Sequence, residues 1–287
     1  MLLINKKDRI NALRALSAPF IFLYPYYAGF TDGYIIVSTL ILWTVLNDIN
    51  HVLHLHIHHP FAKHKPLNIL FDLSMGIVTG MTASNWAIQH KYGHHRLGQA
   101  PSELKNKWDM FKPGENDSFG IKNSVFYSVR TSWPIFYHPL IEAYQKGIVQ
   151  NIKKPLNYRY AFFEQLALIC FILVMVVTRP ELAFTYMIPW YILVYFVTRY
   201  TDYLNHYGCG KDHFDCSNNS LNRWYNILGC NFGYHSAHHH RPSAHWSTLP
   251  QIHEEIKDQL DERQIRPYSW SGFLMPYHFY LNIKGKL

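Results

Sequence analysis

The stretch HVLHLHIHH, residues 51–59, places five histidines in nine positions at the end of an apolar run. Because the chain has 19 histidines in 287 residues, their positions are more informative than their number. Three further groups follow along the chain. They are HKYGHH at residues 90–95, the single His206 in DYLNHYG at residues 202–208, and HSAHHH at residues 235–240.

The spacing within these groups is that of one helix face. Residues three and four apart project from the same side of a helix, so HxxHH and HxxxHH each direct three imidazoles toward one point. Imidazole is a good ligand for iron, zinc, copper and nickel. Two such triplets, together with a pair in the opening stretch, therefore predict a metal centre.

Blocks of apolar residues indicate the fold class. About 20 apolar residues span the hydrocarbon core of a bilayer as a helix. Three stretches come close to that length, residues 12–30, 162–178 and 182–197, and a fourth, residues 33–46, is shorter. We predict an all-α integral membrane protein, a single domain over residues 1–287, with four transmembrane helices in two hairpins. The helices are expected at about residues 12–30, 33–53, 161–178 and 182–201.

The basic residues indicate an orientation. Of the 27 Lys and Arg residues only Arg179 lies at the turn of the second hairpin, and basic loops favour the cytoplasmic side. Both termini are therefore expected in the cytoplasm, with segments 54–159 and 202–287 forming a helical cap that carries the metal centre. If segment 67–88 crossed the membrane, the second histidine group would lie about 30 Å from the others. We therefore expect this segment to lie along the interface, or to dip into it and return.

The net charge of +8 is thus concentrated on one side of the membrane. It favours contact with anionic lipid headgroups or docking of an acidic redox or acyl carrier, and no nucleic-acid partner is expected.

Other metal chemistries are less well matched. The four cysteines form no CxxC pair, although Cys209 and Cys216 flank His213 and leave a small zinc site as an alternative. A metal transporter would hold its ligands within the bilayer between broken helices, whereas these groups lie beyond the helix ends. A zinc hydrolase would need fewer histidines and a carboxylate near them.

The histidine motifs resemble those of the membrane-bound di-iron superfamily of fatty acid desaturases and alkane hydroxylases. HLHIHHPF at residues 54–61 is similar to HxxxHxxF, HKYGHH to the hydroxylase form HxxGHH, and HSAHHHRP with the following HWSTLP to HxxHH before a Pro and WxxLP. DYLNHYG is similar to NYxEHYG of alkane hydroxylases, but has Asp202 and Asn205 in place of Asn and Glu. The GY that precedes the last group is closer to bacterial desaturases.

This resemblance implies two iron ions, dioxygen as co-substrate and nine histidine ligands. The ligands are His54, His58, His90, His94, His95, His206, His235, His238 and His239. His51 shares a face with the first pair and is a possible extra ligand. Asp48, Asp202 and Asn231 are candidate acceptors that would orient ligand imidazoles. We expect no metal contact from the other histidines, which are His56, His59, His64, His138, His213, His240, His245, His253 and His278.

The resemblance also implies oxidation of an unactivated C–H bond on a long hydrocarbon chain, with fatty acyl desaturation favoured. Hydroxylation of an alkane or acyl chain, oxidative decarboxylation of fatty acids to alkenes, and carotenoid oxygenation use the same ligands and stay open. The substrate would be a fatty acyl lipid, an acyl carrier or a hydrocarbon, entering between the hairpins past Phe22, Tyr26, Trp43 and Phe196. Since the sequence shows no cytochrome b5 domain, flavin fingerprint or rubredoxin knuckle, electrons are expected from a separate ferredoxin, rubredoxin or cytochrome b5 with its reductase.

Overall fold

The computed structural model describes residues 2–28, 47–97, 121–132, 158–210 and 214–266, together with residues 280 and 284. These residues are mostly helical. In chain order the α-helices are α1 (Arg9–Ala28), α2 (Asn47–His58), α3 (Lys65–Thr79), α4 (Ala83–Trp86), α5 (Ile121–Ser132), α6 (Tyr158–Thr178), α7 (Pro180–Leu182), α8 (Ile188–His206), α9 (Arg223–Leu228), α10 (His235–His240) and α11 (Leu249–Ile256).

Shorter elements join these helices. One π-helix, Ala87–Leu97, continues α4, and a second, Ala183–Met187, connects α7 to α8. The 3-10 turns are Lys6–Asp8, Trp246–Thr248, Lys257–Gln259 and Glu262–Gln264. Strands β1 (Asn219–Ser220) and β2 (Ile265–Arg266) form one short parallel pair.

Two of the described helical segments are long and apolar enough to cross a membrane, so they are candidate membrane spans. They are Arg159–Thr178, of 20 residues, and Pro180–His206, of 27 residues. Pro180 occupies the first helical position after Arg179, where its missing N–H costs no hydrogen bond, and this allows a tight turn between the two helices. The predicted spans 161–178 and 182–201 lie within these segments.

The first predicted hairpin is described only in part. Helix α1 covers most of the predicted span 12–30 but is not among the described helices that qualify as spans. Residues 33–46 of the next predicted span lie outside the described residues, and α2 covers its remainder to residue 53 and continues to His58. The arrangement of four spans in two hairpins therefore stays a prediction.

The segment predicted to dip into the interface contains a sharp break. Segments Lys65–Thr79 and Ala83–Lys91 meet at an angle of 86°, the geometry of a broken span or of a re-entrant loop. Gly80, at the break, has a φ of 70° and lies so close to Tyr191 that a Cβ would come within 2.6 Å of its ring. Only glycine fits this position without strain.

Carbonyl groups that lose their helical partners at the break accept hydrogen bonds from side chains of α8. The indole Nε1–H of Trp190 donates to the Val78 carbonyl at 2.9 Å, and the Tyr191 hydroxyl donates to the Ile77 carbonyl at 2.6 Å. The Tyr195 hydroxyl donates to the Gly80 carbonyl. These hydrogen bonds replace those that a continuous helix would make, and so stabilise the break in apolar surroundings.

The chain divides into two compact units, residues 1–89 with 133–195, and residues 90–132 with 196–287. In the first unit, α1 packs mainly on α3, and Phe22, Phe71 and Met75 are fully buried. Phe22 and Tyr26 pack on Tyr186 as core residues, whereas Trp43 of the predicted substrate path lies outside the described residues.

In the second unit, polar contacts link α5 to the end of α8. Arg199 is fully buried, with its Nη2 2.9 Å from Asp202 Oδ2 and its Nε donating to Thr131 Oγ1 at 3.0 Å. The Tyr127 hydroxyl accepts from Arg199 and donates to Asp202 Oδ2 at 2.8 Å. A separate apolar cluster of Ala237, Leu249, Ile252 and Ile256 packs α10 on α11.

Candidate metal centre

Four histidines from three elements of the second unit converge on one point. His94 lies in the π-helix Ala87–Leu97 and His206 in the last turn of α8, while His235 and His239 both lie in α10. One ring nitrogen of each lies within 4.8 Å of those of the other three, and all four side chains are buried. We call these four residues set A.

The π-helix explains how the second histidine group reaches its site. Its hydrogen bonds join residue i to residue i+5, so positions four and five apart project from the same side. The rings of His90 and His94 stack at 5.1 Å between centroids, and those of His90 and His95 meet edge to face at 4.6 Å. The sequence spacing predicted a shared face, but on an ordinary α-helix.

The orientation of His206 is set by a backbone carbonyl. Its Nδ1 lies 2.8 Å from the carbonyl oxygen of Cys216, which can only accept, so Nδ1 carries the hydrogen. The lone pair is therefore on Nε2, which lies 3.2 Å from Nε2 of His235. A hydrogen bond to the remote nitrogen of a metal-binding histidine is the usual way to fix its tautomer.

The distances within set A fit a shared metal ion. Nε2 of His94 lies 3.2 Å from Nε2 of His239. Two imidazoles bound side by side, with metal–nitrogen bonds of about 2.1 Å, would place their nitrogens about 3.0–3.4 Å apart. Burial, with the neighbouring His95, His235, His94 and His206, holds the pKa of His239 well below its usual value, so this imidazole is neutral and its lone pair can bind a metal.

A second set, set B, groups two histidines of each unit, His54 and His58 in the first and His90 and His238 in the second. His54 and His58 are one helical turn apart on α2, with ring centroids separated by 5.0 Å. His90 and His238 stack at 6.1 Å with nearly parallel rings. The two sets contain eight of the nine predicted ligands, and every member is a histidine.

His95, the ninth predicted ligand, belongs to neither set but contacts members of both. Its Nε2 lies 3.0 Å from Nε2 of His90 in set B. Its ring centroid lies 4.6 Å from that of His238 and 4.5 Å from that of His239. Within the second unit, His95 therefore lies beside His90 and His238 of set B and beside His239 of set A.

The other histidines of the opening stretch lie outside the sets. His51 stacks on His54 at 5.7 Å, so the possible extra ligand is adjacent to set B but not part of it. His56 faces away and lies with its Nε2 3.3 Å from Asp72 Oδ1, while its Nδ1 accepts from the Phe61 N–H at 3.3 Å. The contacts of the buried His56 are therefore with Asp72 and the Phe61 backbone.

The remaining described histidines are not members of either set. His64 is exposed, and His240 stacks on Phe214. His253 is buried against Tyr234, where α11 packs on α10. His138, His213 and His278 lie outside the described residues, and so does the alternative Cys–His zinc site, which depends on His213.

The structure describes the side chains of two of the three candidate orienting residues. Asp202 Oδ1 lies 3.9 Å from His206 Nε2, too far for a hydrogen bond, because its carboxylate is held by Arg199 and Tyr127. Asn231 donates to the Trp246 carbonyl and has a φ of 63°, so it shapes the turn before α10. The side chain of Asp48 lies outside the described residues.

Hydrogen bonds from a neighbouring strand orient α10, and the sequence motifs did not indicate them. The Asn219 side chain accepts from the Ser236 N–H at 2.9 Å and donates to the Ser236 hydroxyl at 2.7 Å. Ser217 lies 3.0 Å from the same hydroxyl. Ser236 follows His235 directly, so these contacts fix the first turn of the helix that carries His235, His238 and His239.

Comparison with known proteins agrees with this geometry. Residues 33–271, more than half of the chain, match the family described as Fatty acid desaturase. No curated protein and no solved structure matches the chain significantly. The match spans all of the described histidines in sets A and B. The chain therefore belongs to the fatty acid desaturase family of di-iron, membrane-bound oxidoreductases.

Proposed function

We propose that the protein introduces a double bond into a fatty acyl chain in an O2-dependent reaction. The observation that carries this proposal is the pair of buried four-histidine sets in a chain of the fatty acid desaturase family. A donor set made of imidazoles adds no negative charge, so it suits a metal that must keep its positive charge for dioxygen chemistry.

We assign one iron to each set, with His95 completing the nine ligands. His94, His206, His235 and His239 would hold one ion, and the other would be held by His54, His58, His90 and His238. When bound, the two irons supply dioxygen activation and the oxidising power needed to break an unactivated C–H bond. The protein contributes a neutral imidazole at His239, a fixed tautomer at His206 and burial that excludes water.

The orientation and partners follow from charge and from the expected hydrocarbon substrate. We propose that both termini and the histidine sets are cytoplasmic, since nearly all Lys and Arg residues lie in the termini and the segment between the hairpins. The net charge of +8 would favour an acidic electron donor such as a ferredoxin, rubredoxin or cytochrome b5. The substrate would enter from the bilayer as a fatty acyl lipid or acyl carrier.

Hydroxylation is the second candidate function, and a sequence observation favours it. HKYGHH matches the HxxGHH form of hydroxylases, and DYLNHYG is similar to their NYxEHYG motif. Asn205 replaces the Glu of that motif and is buried one residue before His206. The absence of this carboxylate separates the chain from the hydroxylase pattern, so desaturation is preferred.

The experiment is lipid and hydrocarbon profiling of cells that express the full chain, with an electron donor system present. Loss of two hydrogens from a fatty acyl chain, without added oxygen, would support desaturation. A new hydroxyl group would favour the hydroxylase alternative, and a terminal alkene one carbon shorter would favour decarboxylation. An oxygenated carotenoid would favour carotenoid oxygenation.

The matched control compares His238→Ala in set B with His240→Ala, two residues later on the same helix. The His238 variant is expected to form no product, whereas the His240 variant should keep the activity because His240 stacks on Phe214 outside both sets. Metal analysis of the purified protein should find two irons per chain. Zinc alone would overturn the proposal.

A further inference from the structure

Helix α6 carries a buried carboxylate within one of the most apolar segments of the chain. Glu164 is 3% exposed and lies in the candidate membrane span Arg159–Thr178. An ionisable residue in such a helix is costly, and it persists when a specific partner or function requires it. The partner of Glu164 is a helix end.

The carboxylate of Glu164 binds the start of the helix that carries the second histidine group. Its two oxygens accept from the N–H groups of Ala83 at 2.7 Å and Ser84 at 3.1 Å. These are the first residues after the 86° break. The first N–H groups of a helix have no partner within the helix, and this end has a partial positive charge. Thr82 caps the same end by accepting from the Asn85 N–H at 3.2 Å.

Tyr160, one turn before Glu164 on the same face of α6, connects to the first histidine group. Its hydroxyl donates to Asp72 Oδ2 at 2.7 Å, and Asp72 Oδ1 lies 3.3 Å from Nε2 of His56. Because the Nδ1 of His56 accepts from the Phe61 N–H, its Nε2 carries the hydrogen and donates to Asp72.

His56 lies midway between His54 and His58 on α2, and faces the opposite side of the helix. The contact with Asp72 therefore holds the rotation of α2 about its axis, which decides where the two set B histidines point.

We propose that Tyr160 and Glu164 are positioning residues through which one face of α6 orients the two helices that carry the first and second histidine groups. Glu164 acts directly on the helical segment 83–97, and Tyr160 acts on α2 through Asp72 and His56. This inference rests on the assignment of the histidine sets as iron sites.

The two contacts lead to different irons, and this makes the proposal specific. The helix held by Glu164 contributes His90 to set B and His94 to set A, so its displacement should disturb both sites. The helix held through Tyr160 contributes His54 and His58, which belong only to set B. Removing the Tyr160 hydroxyl should therefore disturb one site.

The experiment measures iron binding and Mössbauer spectra of the purified full-length protein in lipid nanodiscs. Glu164→Ala should weaken retention of both irons against a chelator by about 10- to 100-fold, the usual effect of removing a residue that orients metal ligands. It should also change both quadrupole doublets. Glu164→Gln keeps one acceptor oxygen and should restore part of the retention. Tyr160→Phe should change only the doublet that is lost in His54→Ala.

Matched controls use the exposed residues Glu181 and Tyr27. Glu181→Ala and Tyr27→Phe should keep wild-type iron retention and spectra. Thermal unfolding of each metal-free variant identifies folded protein, so that loss of the fold is not counted as loss of iron.

Three results would overturn the inference while leaving the iron assignment intact. These are unchanged doublets in folded Glu164→Ala, equal changes at both irons in Tyr160→Phe, and no recovery in Glu164→Gln. If the wild-type protein binds no iron, the proposed function itself is wrong.

Discussion

The Nδ1 of His206 lies 2.8 Å from the carbonyl oxygen of Cys216, ten residues later in the chain. This contact fixes both the tautomer and the ring plane of a histidine that ends a candidate membrane span. A backbone carbonyl can only accept, so this contact keeps a hydrogen on Nδ1 and directs Nε2 of His206 toward the other three histidines of set A.

We expect one substitution to distinguish the roles of the two ring nitrogens of His206. The amide nitrogen of Asn can take the position of Nδ1 and keep the bond to Cys216, but it cannot replace Nε2. His206→Asn should therefore lose the set A iron while the metal-free protein unfolds near the wild-type temperature. Metal analysis and thermal unfolding of the same sample test this, and retention of two irons would contradict the assignment of Nε2 as a ligand.

Gly80→Ala should destabilise the protein by about 1–3 kcal/mol, the usual cost of a strained backbone conformation. Its φ is 70°, and an added Cβ would approach the Tyr191 ring to 2.6 Å. Gly76→Ala is the matched control, because its Cβ would meet only the Met81 carbonyl at an ordinary 3.6 Å. Unfolding in mild detergent should separate the two variants, and equal stabilities would show that the break is not constrained at Gly80.

The metal-free protein should lose stability as the pH falls below about 6.5. Burial, with the neighbouring histidines, lowers the pKa of His239 well below its ordinary value of 6.5. The unfolded chain then takes up a proton at a pH where the folded protein does not, which costs up to about 1.4 kcal/mol per pH unit for this group. The loss continues until the pH reaches the lowered pKa of the folded protein.

Unfolding free energies measured between pH 8 and pH 5 would test this dependence. His239→Gln should reduce the slope, while His240→Gln should retain it. A slope that is the same in both variants would show that another group is responsible.

Asp202→Ala should destabilise the protein by about 3–5 kcal/mol, because it leaves the buried Arg199 guanidinium without its carboxylate. The double variant Arg199→Met with Asp202→Leu removes both charges and should recover much of this loss. Iron content per folded chain should change little in either variant, since Asp202 makes no hydrogen bond to His206. A selective loss of iron at unchanged stability would instead support an orienting role for Asp202.

The sequence was most informative for features that depend on the type and spacing of side chains. The i, i+3 and i, i+4 spacing of the histidines pointed to seven of the eight members of the two sets, and separated His54 and His58 from His56 on the same helix. The eighth, His206, stands alone in the sequence and was predicted only from the resemblance of DYLNHYG to NYxEHYG. The apolar blocks likewise located the helices Tyr158–Thr178 and Ile188–His206.

Features that depend on the backbone could not be found in this way. The π-helix is a choice of hydrogen-bonding register, and histidine spacing fits either register. The Cys216 carbonyl is an acceptor that any residue would provide, so only the path of the loop makes it specific. Glu164 is visible in the sequence as a lone carboxylate in an apolar helix, and such a group needs a partner. Its partner could not be predicted, because it is a pair of backbone N–H groups about 80 residues away.

The three donors that bind the break near Gly80 also constrain how the chain is made. Trp190, Tyr191 and Tyr195 lie 112 to 115 residues after the carbonyls that they bind. During synthesis the earlier segment emerges first, and its free carbonyls then need water, since lipid offers no donors. We therefore expect residues 65–91 to reach their final position only after α8 has been made, so a truncated chain that ends before residue 190 should leave that segment accessible to water-soluble labels.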